Sequence, residues 1–346
     1  MPALDIAALP KVQLHCHLEG TVRAQTFRAL AAKYRVELGE RADPASTYAF
    51  ASFREFLLLF AKVTQTLRAP EDFAQVARDY VADAAAQGVA YAEVFVSPSV
   101  WTYFHPELDV RATFEAIRAA LDEAGAPHGL EVALIVDLTR NFGVERAEAT
   151  AELAVRLRDL GVIGVGLGGD EANYPPASYA RAYAIARDGG LHGVAHAGEA
   201  AGPESVRDAV ELLGAERIGH GVRAIEDPAV VALLAERGIP LEICPTSNRL
   251  TGAAPAGVPH PLGALDLAGC LVTIDADDPA MFGTTLLDEY RFVAETAGED
   301  AIVRFARNAI DASFASAAAK ARLHASFDGV AGAGPEGRTQ RLARTS

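Results

Sequence analysis

Two histidines, one residue apart, end the first apolar run of this sequence. They are His15 and His17, in the stretch LPKVQLHCHLEG at residues 9–20. On a β-strand, residues i and i+2 point to the same side, so the two imidazoles converge while Cys16 faces the other way. Two converging neutral imidazoles are good ligands for Zn²⁺, but a metal site needs further donors from elsewhere in the chain.

More histidines and carboxylates stand where later apolar runs end. They are His196 and Glu199 in HAGE, His220 in GHG, and Asp277 and Asp278 in DADDP. Three nitrogen donors and one oxygen donor suit Zn²⁺ or Fe²⁺ with one position left for water, whose pKa then approaches neutrality. The candidate ligands are His15, His17, His196 and Asp277.

Other residues at the same positions could move protons and hold a substrate. Glu199 can act as a proton donor, and His220 with Asp277 could hold the attacking water. The pair Gly168–Gly169 offers backbone N–H groups with no side chain in the way. Taken singly, His196 could be a core histidine, Glu199 a helix cap and the aspartates turn residues. Their joint occurrence at strand ends favours an active site.

Strands and helices alternate along most of the chain, which predicts a parallel sheet. The predicted strands are 11–15, 90–98, 130–138, 162–171, 192–199, 217–221, 240–248 and 271–279. Eight strands close a (β/α)8 TIM barrel, an α/β fold whose active site lies at the C-terminal strand ends. A doubly wound open sheet is the alternative.

The remaining segments set the expected boundaries of the domain. Extra helices are expected after the first strand, within residues 41–68, and at the C-terminus. We predict a single domain over residues 1–326. The polar, Gly-rich stretch 329–346 is expected to be a disordered tail.

Charge and cysteine content limit the class of protein. The 346 residues carry a net charge of −15, which disfavours nucleic acid and anionic membranes as partners. The N-terminus has no signal-peptide pattern, and no apolar run is long enough to span a bilayer. The three cysteines are too few and too scattered for a disulfide framework. We therefore expect a cytoplasmic enzyme or binding protein, as a monomer or homodimer.

Six motifs together resemble the adenosine deaminase family of the amidohydrolase superfamily. They are PKVQLHCHLEGTVR, GGDE, HAGE, RIGHGVR, EICPTSN and VTIDADDPAMFG, in order from residue 10 to about residue 325. The resemblance implies one Zn²⁺ per subunit, held by His15, His17, His196 and Asp277 on a (β/α)8 barrel. It also implies hydrolytic deamination of a 6-aminopurine nucleoside, as in adenosine to inosine, by attack of activated water on C6 with release of ammonia.

The resemblance further implies a role for each site residue. Glu199 would protonate purine N1, while His220 and Asp277 would orient the attacking water. The substrate-binding residues would be His17, Glu19, Gly169 and Asp278, with the Gly169 N–H at N3 and Asp278 at N7.

Two departures from the family pattern concern the ribose end of the substrate. Glu19 stands where adenosine deaminases usually carry Asp, and Gly166 stands where their fourth-strand motif usually carries Asp. Strand alternation would aim Glu19 at the mouth of the pocket if the strand continues that far; otherwise Glu19 could cap the helix that starts near Arg23. Deamination of 6-aminodeoxyfutalosine, or of free adenine, is therefore the alternative function.

Rival classes lack their own signatures. A binuclear amidohydrolase needs a bridging lysine near the fourth strand, and none of Lys11, Lys33, Lys62 and Lys320 lies there. A cytidine-deaminase type of site needs PCxxC, which CPTSN does not supply. A non-catalytic binding protein on the same barrel would be expected to lose a ligand or the acid, and both sets are complete here.

Overall fold

Eight parallel strands run around a barrel in the order in which they occur in the sequence. The computed structural model of the chain describes residues 4–331. The strands are β1 Lys11–His17, β2 Val89–Val96, β3 Glu131–Asp137, β4 Val162–Gly166, β5 His192–Ala197, β6 Arg217–His220, β7 Leu241–Ile243 and β8 Val272–Ile274. Every residue of β1 is buried, as expected for a parallel strand covered on both faces.

The barrel closes where β1 meets the residues that follow β8. The His17 N–H donates to the Asp277 carbonyl at 2.9 Å, and the Asp277 N–H donates to the His15 carbonyl at 3.0 Å. The buried Asp275 carboxylate accepts from the N–H groups of Leu14 and His15 at 2.6 and 3.1 Å. These bonds join the first and last strands, which confirms the predicted (β/α)8 barrel over an open sheet.

Helices cover the outside of the barrel and extend some of the loops at its C-terminal face. They are α1 Ala24–Tyr34, α2 Phe53–Thr64, α3 Pro70–Ala86, α4 Pro98–Phe104, α5 Val110–Gly125, α6 Val144–Arg156, α7 Ala180–Asp188, α8 Pro203–Asp208, α9 Pro228–Arg237, α10 Pro245–Thr251, α11 Leu262–Leu267, α12 Pro279–Phe282, α13 Leu286–Ala297, α14 Glu299–Ala312 and α15 Ala317–Ala331. A π-helix, Ala209–Leu213, continues α8. Helix starts carry local signals such as Ser52, whose hydroxyl accepts from the Glu55 N–H ahead of α2.

The structure departs from the expected elements in three places. Helices α4 and α10 follow β2 and β7 directly, where a loop or a longer strand was expected. Both begin with Pro at the first helical position, which suits a helix start. The last helix continues to Ala331, past the expected boundary at 326, and the rest of the expected tail lies outside the described residues.

Within residues 4–331, no helix has the length and apolar character needed to cross a bilayer.

Candidate active site

Four ligand atoms converge at the point where the barrel closes. They belong to His15, His17, His196 and Asp277, all buried, and they lie within 4.8 Å of one another. The Nε2 atoms of His17 and His196 are 3.1 Å apart, and each of His15 Nε2 and His17 Nε2 lies 3.4 Å from Asp277 Oδ1. The structure therefore brings together the four residues that the sequence singles out as metal ligands.

Two of the three histidines in this group are in the neutral form that a metal requires. Burial lowers the pKa of His17 to about 3 and that of His196 well below its usual range, so both imidazoles are neutral. Burial also lowers the pKa of His15, but the carboxylates of Asp277 and Glu242 outweigh it and raise that pKa to about 10, so a metal ion would replace a proton on this ring. His15 Nε2 is buried without a hydrogen-bond partner among the described residues. Three imidazole nitrogens, one of them orphaned, and a carboxylate fit a divalent cation.

Buried charged residues fix the orientation of His15 through its Nδ1 atom. The Glu242 Oε2 lies 2.8 Å from His15 Nδ1, and Arg217 donates to the other Glu242 oxygen at 2.5 Å and to Glu93 at 2.6 Å. Each of these charges therefore has a partner of opposite sign. Such partners hold a ligating imidazole in one tautomer and one orientation.

Two site residues have backbone angles that only a surrounding structure can impose. His220 and Asp277 have φ of 62° and 61°, in the left-handed region that side-chain-bearing residues seldom adopt. Ser247 on α10 donates to Asp277 Oδ2 at 2.7 Å, and Asn248 Nδ2 lies 3.0 Å from His220 Nδ1. Helix α10, which the sequence did not predict, thus holds both residues in place.

Glu199 and His220 face each other beside the metal-ligand group. The Glu199 Oε2 lies 3.6 Å from His220 Nε2, which in turn is 4.0 Å from Asp277 Oδ2. Burial, with the negative charges of Asp277 and Glu171, raises the pKa of Glu199 well above its usual range. A raised pKa favours the protonated carboxyl group, which can donate a proton to a bound ligand.

Glu171 shapes the loop that carries Glu199. Its carboxylate accepts hydrogen bonds from four consecutive backbone N–H groups, at 2.6–3.1 Å. The donors are Gly198, Glu199, Ala200 and Ala201. The sequence signal was the GGDE motif, in which only the glycines were given a role. Glu171 is thus a positioning residue that sequence analysis missed.

A cavity of about 900 Å³ opens above these residues. His17, His196, Glu199, His220, Asp277, Asp278 and Gly169 all line it. One wall is apolar and comes from α2 and α4, with Phe53, Phe56, Phe60, Val100, Tyr103 and Phe104. Polar side chains, including Asp137, Asn141 and Asp170, form another part of the lining. The volume lies near the upper end of the range for small-molecule sites.

Asp277 and Asp278 are neighbours whose pKa values are shifted in opposite directions. Burial opposes ionisation of Asp277, but the adjacent His15, which binds a proton readily, holds the pKa of Asp277 well below the usual range. Burial and the charge of Asp277 raise the pKa of Asp278 well above the usual range. Asp278 Oδ1 has no partner among residues 4–331, and Gly20 leaves it room, since a Cβ there would lie 1.9 Å from that oxygen.

Glu19 does not reach the cavity, in contrast to the expectation from strand alternation. The chain turns into a short 3-10 helix, Glu19–Thr21, directly after β1, and the side chain becomes fully buried. Its Oε1 accepts from the Ser97 N–H at 2.9 Å and from Trp101 Nε1 at 2.6 Å. It does not cap α1 either, because no side chain caps that helix.

Most of the chain matches the sequence model of one protein family. The sequence model described as adenosine deaminase matches residues 10–330. The chain belongs to the adenosine deaminase family. It is accordingly an aminohydrolase, an enzyme that acts on C–N bonds, and its family is metal-dependent.

Proteins similar to this chain carry names that refer to different substrates. A protein of Streptomyces avermitilis named aminodeoxyfutalosine deaminase is 39% identical over 330 residues, covering 93% of this chain and 91% of that protein. An adenine deaminase of Rhizobium rhizogenes is 40% identical over 320 residues, covering 91% of this chain and 98% of that protein. A crystal structure of an amidohydrolase from Burkholderia ambifaria with bound Zn has a TM-score of 0.84 and 27% identity, covering 98% of this chain and 93% of that one.

Proposed function

We propose that this protein removes the 6-amino group of a 6-aminopurine by hydrolysis, with a nucleoside as the favoured substrate. The observation that carries the proposal is the convergence of the four ligand atoms beside Glu199 and His220 at the base of one cavity. Water and the 6-aminopurine give the 6-oxopurine and ammonia. The water gives up both of its protons in this exchange, one of which must reach ring N1 and the other the leaving amino group.

The metal that we propose is one Zn²⁺ per chain, held by His15, His17, His196 and Asp277. Three imidazole nitrogens and one carboxylate oxygen suit zinc, and the Burkholderia ambifaria amidohydrolase contains Zn. A bound ion of this kind supplies Lewis-acid activation of water near neutral pH. Iron offers the same chemistry to this donor set, so the identity of the metal is part of the test.

The protein's own groups match the three ring nitrogens of the purine that can accept a hydrogen bond, N1, N3 and N7. Glu199, protonated by burial, would deliver its proton to N1. Asp278, also protonated, would donate to N7, which a carboxylate could not do. His220 and ionised Asp277 would hold the attacking water. The Gly169 N–H would donate to N3, and the φ of 100° at Gly169 is one that a residue with a side chain rarely adopts.

The apolar wall favours a second candidate substrate. A purine and its sugar do not need the row of phenylalanines on α2 or the Tyr103 side chain on α4. A nucleoside with an apolar or aromatic group at its 5′ end would bury them. The Streptomyces avermitilis relative, an aminodeoxyfutalosine deaminase, is consistent with such a substrate. Free adenine is the third candidate, because the Rhizobium rhizogenes relative is an adenine deaminase.

A substrate panel with metal analysis tests the proposal. Ammonia release would be measured with adenosine, 2′-deoxyadenosine, adenine and 6-aminodeoxyfutalosine, and kcat/KM compared. We expect turnover of at least one nucleoside, with about one zinc per chain in the active protein. Absence of turnover on every 6-aminopurine, two metal ions per chain, or full activity after metal removal would overturn the proposal.

We further propose that the enzyme works in the cytoplasm as a monomer or homodimer, without nucleic acid or membrane partners. The three cysteines are free and buried, which suits a reducing compartment, and the net charge of −15 disfavours polyanions. Light scattering of the purified protein gives the subunit number. A fluorescent fusion in the native cell gives the compartment.

A further inference from the structure

A carboxylate with one unpartnered oxygen lies among the polar residues that line the cavity, and the catalytic roles above do not use it. It belongs to Asp137, the last residue of β3, which is 4% exposed and lines the same cavity as Glu199 and Gly169. Its Oδ1 has no hydrogen-bond partner among residues 4–331. Buried polar atoms are rarely left in this state unless a ligand or water completes them.

Two glycines, one at the end of the neighbouring strand β4 and one just after it, make room for this carboxylate. Gly166 pairs with Asp137 across β3 and β4, and Gly168 lies two residues further on. A Cβ on Gly166 would lie 3.2 Å from Asp137 Oδ1, and a Cβ on Gly168 would lie 2.6 Å from Oδ2. A side chain at Gly168 would therefore displace the carboxylate.

No cation neutralises Asp137 within the part of the chain that the structure describes. The nearby buried Arg140 donates instead to backbone carbonyls, that of Tyr174 at 2.8 Å and that of His196. Burial raises the pKa of Asp137 to about 6, although the charge of Arg140 lowers it. The group is thus mainly an ionised acceptor at neutral pH, held in the wall without a salt bridge.

We propose that Asp137 is a specificity-determining residue that accepts a hydrogen bond from an N–H or O–H donor on the N9 side of the purine. The inference rests on the proposed function, which puts the Gly169 N–H at N3. Because N3 and N9 are both bonded to C4 and lie on the same edge of the purine, an acceptor beside Gly168–Gly169 faces whatever N9 carries. In free adenine that donor is the N9–H group, and in a nucleoside it is a sugar hydroxyl.

The test compares substrates that differ only at N9. Wild type, Asp137→Asn and Asp137→Ala would be assayed with adenosine, adenine and 9-methyladenine, the last of which carries no donor there. If a purine turns over too slowly for kcat/KM to be measured, its affinity would be compared instead, as the constant with which it inhibits turnover of a better substrate. We expect the Ala variant to lose about 10- to 100-fold on the donor-bearing substrate that wild type prefers, and less than about 3-fold on 9-methyladenine.

A matched variant separates hydrogen bonding from general charge. Asp170→Asn removes a carboxylate from the same wall, but that carboxylate already accepts from the Asn173 N–H and Nδ2, at 3.2 and 2.8 Å. We expect it to change the constants of all three purines by a similar factor. Melting temperatures of all variants would be recorded, and the near-isosteric Asn variant serves if the Ala variant does not fold.

The outcomes separate this inference from the proposed function. A loss confined to adenine assigns the contact to N9–H, and a loss confined to adenosine assigns it to the sugar, where 2′- and 3′-deoxyadenosine identify the hydroxyl. Equal losses on all three purines, or none, would overturn the inference while the deaminase proposal stands. A wild-type enzyme that neither deaminates nor binds any purine would overturn the proposed function itself.

Discussion

Single ionisable groups in this site are set to different protonation states by their immediate neighbours. His15 holds the pKa of Asp277 well below its usual range, whereas burial and the charge of Asp277 raise the pKa values of Asp278 and Glu199 well above theirs. Pairs of carboxyl groups with separated pKa values are a mark of acid–base sites. At the residue scale, therefore, each carboxyl group has the form that its proposed role needs.

Replacing Glu199 with glutamine tests the proton donor. Glutamine keeps the shape and the loop contacts but cannot deliver a proton, so kcat should fall at least ~100-fold. Zinc content, measured by plasma emission, should stay near that of the wild type. A raised KM with unchanged kcat would show that Glu199 only binds the substrate.

Two substitutions of Glu19 test whether it is structural, as its burial indicates. Glu19→Ala leaves the Trp101 Nε1 and Ser97 N–H donors buried without an acceptor and should cost about 3 kcal/mol of unfolding free energy, measured by urea titration. Glu19→Gln keeps one acceptor oxygen and should cost less than about 1 kcal/mol. A loss of kcat/KM on nucleosides alone, with unchanged stability, would instead mean that Glu19 reaches the sugar.

At the scale of elements, the site depends on the segments that directly follow the strands. Helix α10 holds His220 and Asp277 through Asn248 and Ser247, and Glu171 after β4 binds the loop after β5. Most of the side chains that line the cavity come from such segments rather than from the strands themselves. This is the division expected for a barrel, where the strands give rigidity and the loops carry the chemistry.

Glu171→Gln is the corresponding test of loop positioning. The amide nitrogen cannot accept, so up to three of the four backbone N–H bonds are lost, and kcat should fall ~10-fold or more while the metal stays bound. Glu216→Gln is the matched control, since Glu216 also accepts a backbone bond, from the Gly193 N–H, but at the other end of β5. Equal kcat values for both variants would show that Glu171 does not position the loop that carries Glu199.

Across the whole molecule, the candidate metal ligands come from distant parts of the chain. His15 and His17 lie on β1, His196 on β5, and Asp277 follows β8, so a bound ion would connect both halves of the barrel at its point of closure. An ion that binds only the folded state stabilises it by mass action. Stability should therefore depend on metal as well as on packing.

Removal of the metal should lower the melting temperature, and added Zn²⁺ should restore it in a concentration-dependent way. At 100 times the dissociation constant, the expected gain is about 2.7 kcal/mol. His17→Ala should show little of this response, because it lacks one ligand. Identical melting curves with and without Zn²⁺, recorded by calorimetry, would contradict a site of this composition.

The pH dependence of stability should contain a contribution from His260, far from the metal ligands in sequence. Burial, aided by the charge of Arg249, lowers its pKa from 6.5 to about 4, so the unfolded chain binds the proton more readily. The contribution of His260 to the free energy of unfolding is fully present above pH 6.5 and decreases as the pH drops towards 4. At pH 5 this contribution is smaller by about 2 kcal/mol.

Urea titrations at pH 7.5 and pH 5 measure this contribution. In His260→Asn the amide oxygen can still accept from the Leu262 N–H, which lies 3.2 Å from His260 Nδ1, but the side chain no longer titrates. The variant should therefore lose about 2 kcal/mol less than wild type between the two pH values. Equal losses would show that His260 is protonated in the folded state.

The sequence alone determined the fold class and the residues closest to the chemistry. Strand periodicity, helix patterning and eightfold alternation predict the barrel, since parallel strands covered by helices leave regular apolar runs. The rule that barrel sites lie at C-terminal strand ends then selected His15, His17, His196 and Asp277, which the structure brings together. Applied to the third strand, the same rule would also have selected Asp137.

Only the tertiary structure decided which polar groups face the cavity and which lie behind its wall. Glu19 is two residues from His17, yet the backbone turns after β1 and buries its carboxylate against Trp101, because local alternation ends where the strand ends. Asp137 and Gly166 are 29 positions apart and become neighbours only when β3 pairs with β4. Contacts between strands depend on register, which the apolar pattern of a fully buried strand does not specify.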